Sequence, residues 1–289
     1  MSATVPSAPR AAEVLARARR ENFPVASMLF PKRVRPHLMA IYGFARLADD
    51  IGDEAEGDRT ELLDWLSSEL DAVYGPGTPA HELMRALAPT VAAFGLPREP
   101  FDRLIEANRR DQVAHRYETF DALREYCGLS ADPVGELVLR VLEAWTPERA
   151  ALSDATCTGL QLVEFWQDLG EDAARDRVYV PLEDMDRFGY RVEELLAGTR
   201  NGAFLALMRF EAARTRALLE RGRPLARTLP GRVGLAVRLF TAGGLAALDD
   251  LERRGFDTLS ASAHASRARR AWAAGRELLR PATAREAAR

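Results

Sequence analysis

The chain has 289 residues, 47% hydrophobic and 29% charged, with a formal net charge of -3. It is long enough to bury a substantial core, and its composition is that of a globular protein. The acidic balance excludes the strongly basic footprint of a nucleic-acid-binding domain, and Cys127 and Cys157 form no metal-type C-x-x-C pair.

The N-terminus, "MSATVPSAPRAAEVLARARRENF", has no apolar core of the kind a secretory signal needs, which points to the cytoplasm. Apolar residues then recur at spacings of three and four. They predict helices at about 9–20, 33–54, 59–74, 79–94, 98–110, 119–128, 131–146, 152–174, 200–223, 228–254 and 264–279. Period-two alternation of β-branched residues is missing, so the fold class is all-α. Breaks fall at "GPGTP" (75–79), "GLPREP" (95–100), "TPE" (146–148), "RGRP" (221–224) and "RGFD" (254–257). None reaches linker length. Residues 1–289 read as a single domain, with 1–19 and 281–289 as flexible ends.

The second helix carries the first chemical signal, "ARLADDIGDE" (45–54). Tyr42, Arg46, Asp49, Asp50 and Asp53 share one helical face, while Ile41, Phe44, Leu47, Ala48 and Ile51 fall where they can pack. The helix over 152–174 repeats the pattern in "LQLVEFWQDLGED", with Gln161, Glu164, Asp168 and Asp172 in a stripe. Carboxylates one turn apart repel each other, yet they are well placed to share a hard divalent cation. Two such helices facing each other would hold Mg2+ with a diphosphate between them. On pattern alone, a solvated acidic face and a metal–diphosphate site both stand open.

Farther on, "VGLAVRLFTAGGLAAL" (233–248) is interrupted by Arg238 and is too short to span a membrane, so it reads as a core helix. The Arg-rich C-terminus, with Trp272, either lies on an anionic membrane surface or forms a solvated last helix. Lys32 is the only lysine, so arginine is the general cation here and its type alone marks no site. No P-loop, no strand-linked G-x-G-x-x-G and no H-E-x-x-H occurs, and His37, His81, His115 and His264 are scattered. Each histidine reads as structural or surface.

"FPVASMLFP", "IYGFARLADDIGDE", "YCGLSADPVGELVL", "GLQLVEFWQDLGEDAARDRVYVP" and "AGGLAALDDLERRGFD" together resemble the squalene/phytoene synthases of the isoprenoid synthase fold. The resemblance runs from about residue 20 to 260 and implies a helical bundle with a central active-site cavity. "ENFPVAS", "LIEANRRDQ", "SADPVG" and "FWQD" are most similar to the hydroxysqualene synthase branch of bacterial hopanoid biosynthesis.

That branch implies conversion of presqualene diphosphate and water to hydroxysqualene, with Mg2+ or Mn2+ and without NADPH. The resemblance makes Asp49, Asp53, Asp168 and Asp172 metal ligands or their close support, and Arg46, Arg177 and Tyr179 the groups that steady the departing diphosphate. Tyr42, counted with the catalytic residues, lines the hydrocarbon cavity with Phe23, Tyr126, Val134, Gly135, Leu160 and Gln161, Gly135 by leaving room near a cation. Glu164 stands where the family usually has Asn, and it implies retained but altered metal binding. The His/Ser-rich start of carotenoid-making relatives is replaced by "RRENFP" (19–24).

The alternative enzyme is a head-to-head condensing synthase making squalene, dehydrosqualene or phytoene from prenyl diphosphates. The alternative from another class is a non-catalytic binding or assembly protein, which loss of the aspartates would mark. Implied partners are the diphosphate substrate, the inner face of the membrane, and the enzymes before and after this one in the pathway.

Overall fold

The computed structural model describes residues 8–18 and 29–259. Helices α1 (Ala11–Ala18), α2 (Arg35–Asp53), α3 (Arg59–Tyr74), α4 (Glu82–Phe94) and α5 (Glu99–Arg110) come first. They are followed by α6 (Phe120–Ser130), α7 (Asp132–Val141) and the long α8 (Pro147–Ala174). Two short helices, α9 (Leu182–Phe188) and α10 (Val192–Leu196), lead to α11 (Gly202–Gly222), α12 (Leu225–Thr228) and α13 (Gly231–Arg253). Among the described residues the one β-type contact is an isolated bridge between Arg116 and Val178. The expected all-α class holds.

Start signals fix the long helices. Asp58 accepts hydrogen bonds from the Thr60 and Glu61 amides at 2.9 and 3.1 Å to begin α3. Asn201 caps α11 through the Phe204 amide at 3.0 Å. Thr146 caps α8 through the Arg149 amide, and Pro147 opens its first turn. The "TPE" segment, read from sequence as a break, is therefore the start of α8, five residues earlier than expected. The preceding helix ends at Val141, because Glu143 adopts a left-handed φ of 55°. The short α9 and α10 were not anticipated, and the helix expected over 264–279 lies outside the described residues.

Two apolar clusters form. One gathers Ile41, Phe44, Leu47 and Ile51 of α2 with Leu62, Leu66 and Leu70 of α3, Met84 and Leu87 of α4, and Phe101 of α5. The other gathers Leu162, Phe165, Trp166 and Leu169 of α8 with Phe204 and Met208 of α11 and Leu248 and Leu251 of α13. Each such side chain contributes roughly 1.5–3 kcal/mol by leaving water. Trp166 satisfies its indole N–H on Thr215 Oγ1 at 2.8 Å, deep in the second cluster.

Helix α2 packs on α3, α4, α5 and α7, and α8 packs on α7, α11 and α13, so the acidic helices share α7 and otherwise rest on different partners. Helix α13 buries one face, including Val233, Ala236, Gly244, Leu248 and Leu251, as a core helix should. Its other face leaves Arg238 and Phe240 exposed. Among the described residues it is also the one helix whose length and composition would suffice to cross a membrane.

Candidate active site

The polar stripe of α2 divides its charges by environment. Asp50 is buried and pairs with Arg46 Nε at 2.9 Å. Arg46 also lies 4.0 Å from Glu54. Asp49 reaches solvent although protein packs around its carboxylate. Those surroundings push its pKa up to about 6, with Asp53 and Asp50 adding to the rise, against a hydrogen bond from Asn108 and the charge of Arg46. Asn108 Nδ2 donates to Asp49 Oδ1 at 3.3 Å. That contact needs α5 close to α2, and Gly52 permits it: a Cβ there would sit 2.1 Å from Asn108 Oδ1. Gln112 ties the same turn by donating to the Gly52 carbonyl at 3.0 Å.

On α8, Glu164 is exposed while Gln161, Asp168 and Asp172 are half-buried. Burial pushes Asp172 up to about 7 with help from Asp168, opposed by Arg177 and Arg175. Two carboxylates, one per acidic helix, therefore hold protons more tightly than isolated ones would. A cation would relieve both.

The loop after α8 brings the helices into relation. Its backbone is strapped to the segment after α5: the Val178 amide donates to His115 O and the Leu182 amide to Tyr117 O, both at 2.9 Å. Arg177 thereby reaches across to Asp53, donating from Nη1 to Oδ1 at 2.8 Å. The strap also builds an aromatic wall. Tyr179 stacks on Phe165 at 4.0 Å with ring planes 2° apart, and Tyr126 and Tyr117 lie 5.8 Å from Tyr179. Tyr126 donates its hydroxyl to Asp111 Oδ2 at 2.6 Å. Burial, then the neighbouring phenol and carboxylate, holds Tyr126 far above the ordinary phenol range, so it stays a neutral donor. Burial likewise pushes Asp111 up to about 6, against the Tyr126 hydrogen bond and Arg177.

The expected residues thus divide. Asp49, Asp53, Asp172, Arg177, Tyr179 and Tyr126 are brought together by these contacts. Tyr42 is half-buried on the same helix as Asp49, Val134 packs against the first cluster and Leu160 against the second. Phe23 lies outside the described residues. Gly135 requires a correction. Its missing side chain leaves no room beside a cation, because a Cβ would meet Ser153 Oγ at 2.3 Å and Cys157 Sγ at 2.7 Å. Glycine there lets α7 lie close on α8.

Asn108, Asp111, Gln112, Tyr117 and Phe165 were not foreseen as site residues. The first three stand in "LIEANRRDQ", which the sequence marks as a resemblance without assigning roles.

Among the described residues no three His, Cys, Asp or Glu side chains converge to cage an ion. The donor set nevertheless fits Mg2+, since it consists of carboxylate oxygens, two of them with raised proton affinity. Mg2+ commonly takes one or two carboxylates and completes its shell with water and phosphate oxygens. Such a shell needs no preformed cage.

Comparison with known proteins places the fold in a family. The squalene/phytoene synthase family model matches residues 16–271. A hydroxysqualene synthase of Rhodopseudomonas palustris is 40% identical over 229 residues, covering 78% of this chain and 77% of the relative. A 15-cis-phytoene synthase of Synechocystis is 32% identical over 214 residues, covering 69% and 63%. The crystal structure of squalene synthase HpnC from Alicyclobacillus acidocaldarius superposes with a TM-score of 0.79 at 40% identity, covering 85% of this chain and 95% of that one.

Proposed function

From the premise that the chain belongs to the squalene/phytoene synthase family, we propose that it is a Mg2+-dependent hydroxysqualene synthase, converting presqualene diphosphate and water to hydroxysqualene and diphosphate. The observation that carries this reading is the 40% identity to a hydroxysqualene synthase across 78% of the chain. Asp49, Asp53, Asp168 and Asp172, with Glu164 beside them, are the groups that would hold Mg2+, which when bound supplies positive charge to the departing diphosphate.

The residues of the chain do the rest. Arg177, fixed on Asp53, presents a permanent cation between the acidic helices where the leaving group gains charge. Arg46 adds positive field at Asp49. The ring faces of Tyr126, Phe165 and Tyr179 offer negative π-density to a carbocation, and the apolar cluster to which they belong keeps bulk water from it. A long apolar alcohol as product makes the inner face of the membrane its destination.

The second reading, head-to-head condensation of prenyl diphosphates, is supported by the phytoene synthase relative. Incubation with presqualene diphosphate and, separately, farnesyl diphosphate, each with Mg2+ and with or without NADPH, separates the two. The proposal expects a C30 alcohol from presqualene diphosphate and no response to NADPH. Efficient consumption of farnesyl diphosphate alone would establish the condensing enzyme instead.

A further inference from the structure

Three buried polar atoms without a hydrogen-bond partner among the described residues occur within one short segment: Asp111 Oδ1, His115 Nδ1 and Tyr117 Oη. The fold closes that segment into a corner. Tyr126 holds the other Asp111 oxygen at 2.6 Å, and the Tyr117 ring lies 5.3 Å from Tyr126. His115, Arg177 and Asp53 are all close enough to act on Asp111 electrostatically. Tyr117 itself is only 4% exposed. Buried polar atoms are normally paired, and a group of orphans marks the place of a water or of a functional step.

The three atoms are complementary. A carboxylate oxygen only accepts, a phenol hydroxyl donates or accepts, and an imidazole nitrogen takes either role by tautomer. A water seated among them would find the two to four partners it needs. They also adjoin the wall of Tyr126, Tyr179 and Phe165, where a carbocation would be stabilised.

We propose that Asp111, His115 and Tyr117 hold the water that captures the carbocation, and that Asp111 accepts its proton. This rests on the hydroxysqualene reading. The carbon–oxygen bond to diphosphate breaks with both electrons leaving on the diphosphate, and the cation rearranges. A lone pair of the held water then forms the new carbon–oxygen bond. One of its O–H bonds gives its electrons back to oxygen, and the proton passes to Asp111 Oδ1. Presqualene diphosphate and water become a C30 alcohol, diphosphate and a proton, with no oxidant or reductant consumed. Asp111 suits the task because its free oxygen is buried beside the neutral Tyr126 donor, which fixes the carboxylate without competing for the proton.

The test measures alcohol formed per diphosphate released from presqualene diphosphate with Mg2+ in ¹⁸O-labelled water, for wild type, Asp111→Asn and Tyr117→Phe. Wild type should give labelled alcohol at a ratio near unity. Asp111→Asn keeps the shape but cannot take the proton, and its ratio should fall at least about tenfold, with hydrocarbons replacing the alcohol. Tyr117→Phe removes one hydroxyl and should shift the ratio in the same direction by about threefold, which decides the matter if the Asp111 variant does not fold. A wild type that yields no alcohol would sink the hydroxysqualene reading and this corner with it. Labelled alcohol from wild type with an unchanged ratio in the folded variants would overturn the corner alone, including where diphosphate release and alcohol fall in parallel.

Discussion

Asp49 and Asp53 stand one turn apart, and so do Asp168 and Asp172, in helices that could have avoided the repulsion by burying an apolar residue instead. On the proposed function, a shared cation and diphosphate account for that spacing. On that reading each carboxylate acts on charge that develops only as diphosphate leaves, so its loss should appear in turnover more than in substrate affinity. Asp49→Asn, Asp53→Asn, Asp168→Asn and Asp172→Asn are expected to lower kcat at least about a hundredfold, with helical circular dichroism unchanged. Turnover within a few fold of wild type in all four at saturating Mg2+ would refute the site. These aspartates were legible because a helical stripe is a local pattern that needs only a spacing of three and four. Asn108 was not legible. Its approach to Asp49 depends on α5 lying against Gly52, a tertiary fact that no window of sequence contains. Gly135 was misread for the same reason, since a glycine looks alike in sequence whether it clears space for a ligand or for a helix.

At the scale of elements, the close contact of α2 and α5 makes Gly52 a sensitive position. Gly52→Ala would place a methyl 2.1 Å from Asn108 Oδ1, forcing Asn108 or the helix to move. A destabilisation of about 1–3 kcal/mol is expected from overpacking, together with a loss of turnover as Asn108 leaves Asp49. Thermal unfolding and a turnover assay check the pair, and an unchanged variant in both would show that the interface yields freely. Helix α11 carries a different strain. Glu211 is fully buried, with Oε1 lacking a partner among the described residues and Arg214 3.4 Å from Oε2. Burial pushes it up to about 8, against Arg214 and with Asp184 and Glu183 adding to the rise. Because the folded state binds this proton more tightly than the unfolded chain, the stability the group contributes is fully present below its ordinary value of 4.5 and is lost as pH rises through about 8. Melting temperature should therefore fall between pH 5 and pH 9 less in Glu211→Gln than in wild type, by an amount corresponding to on the order of 1–3 kcal/mol. Equal slopes would show that Arg214 keeps Glu211 ionised. Long helices were readable from apolar periodicity, whereas α9 and α10, at seven and five residues, are too short to show a period and depend on the strap beside them.

Across the whole molecule, the two acidic helices belong to different apolar clusters and share α7 as a packing partner, so the candidate site is a junction of the two clusters. Sequence supplied both stripes but not their relation, which the Arg177–Asp53 contact establishes at 2.8 Å. A single contact between exposed or half-exposed groups holds little energy, about 0–1 kcal/mol. Raised proton affinity on both sides, at Asp49 and Asp172, further weakens any preference for the closed junction while no cation is bound. Ligands that engage both carboxylate sets should supply the missing cohesion, and they should do so only in combination: diphosphate alone meets repelling carboxylates, and Mg2+ alone finds no closed cage among the described residues. An unreactive prenyl thiodiphosphate analogue together with Mg2+ is therefore expected to raise the melting temperature by about 5–10 °C at a hundredfold excess over Kd. Either component by itself should give much less than half of that shift. Asp168→Asn, which weakens only the α8 side, should abolish the synergy while leaving the unliganded melting temperature near that of wild type. Additive shifts from the two components, or full synergy retained in Asp168→Asn, would mean that metal and diphosphate bind independently and that the acidic faces do not act as one site.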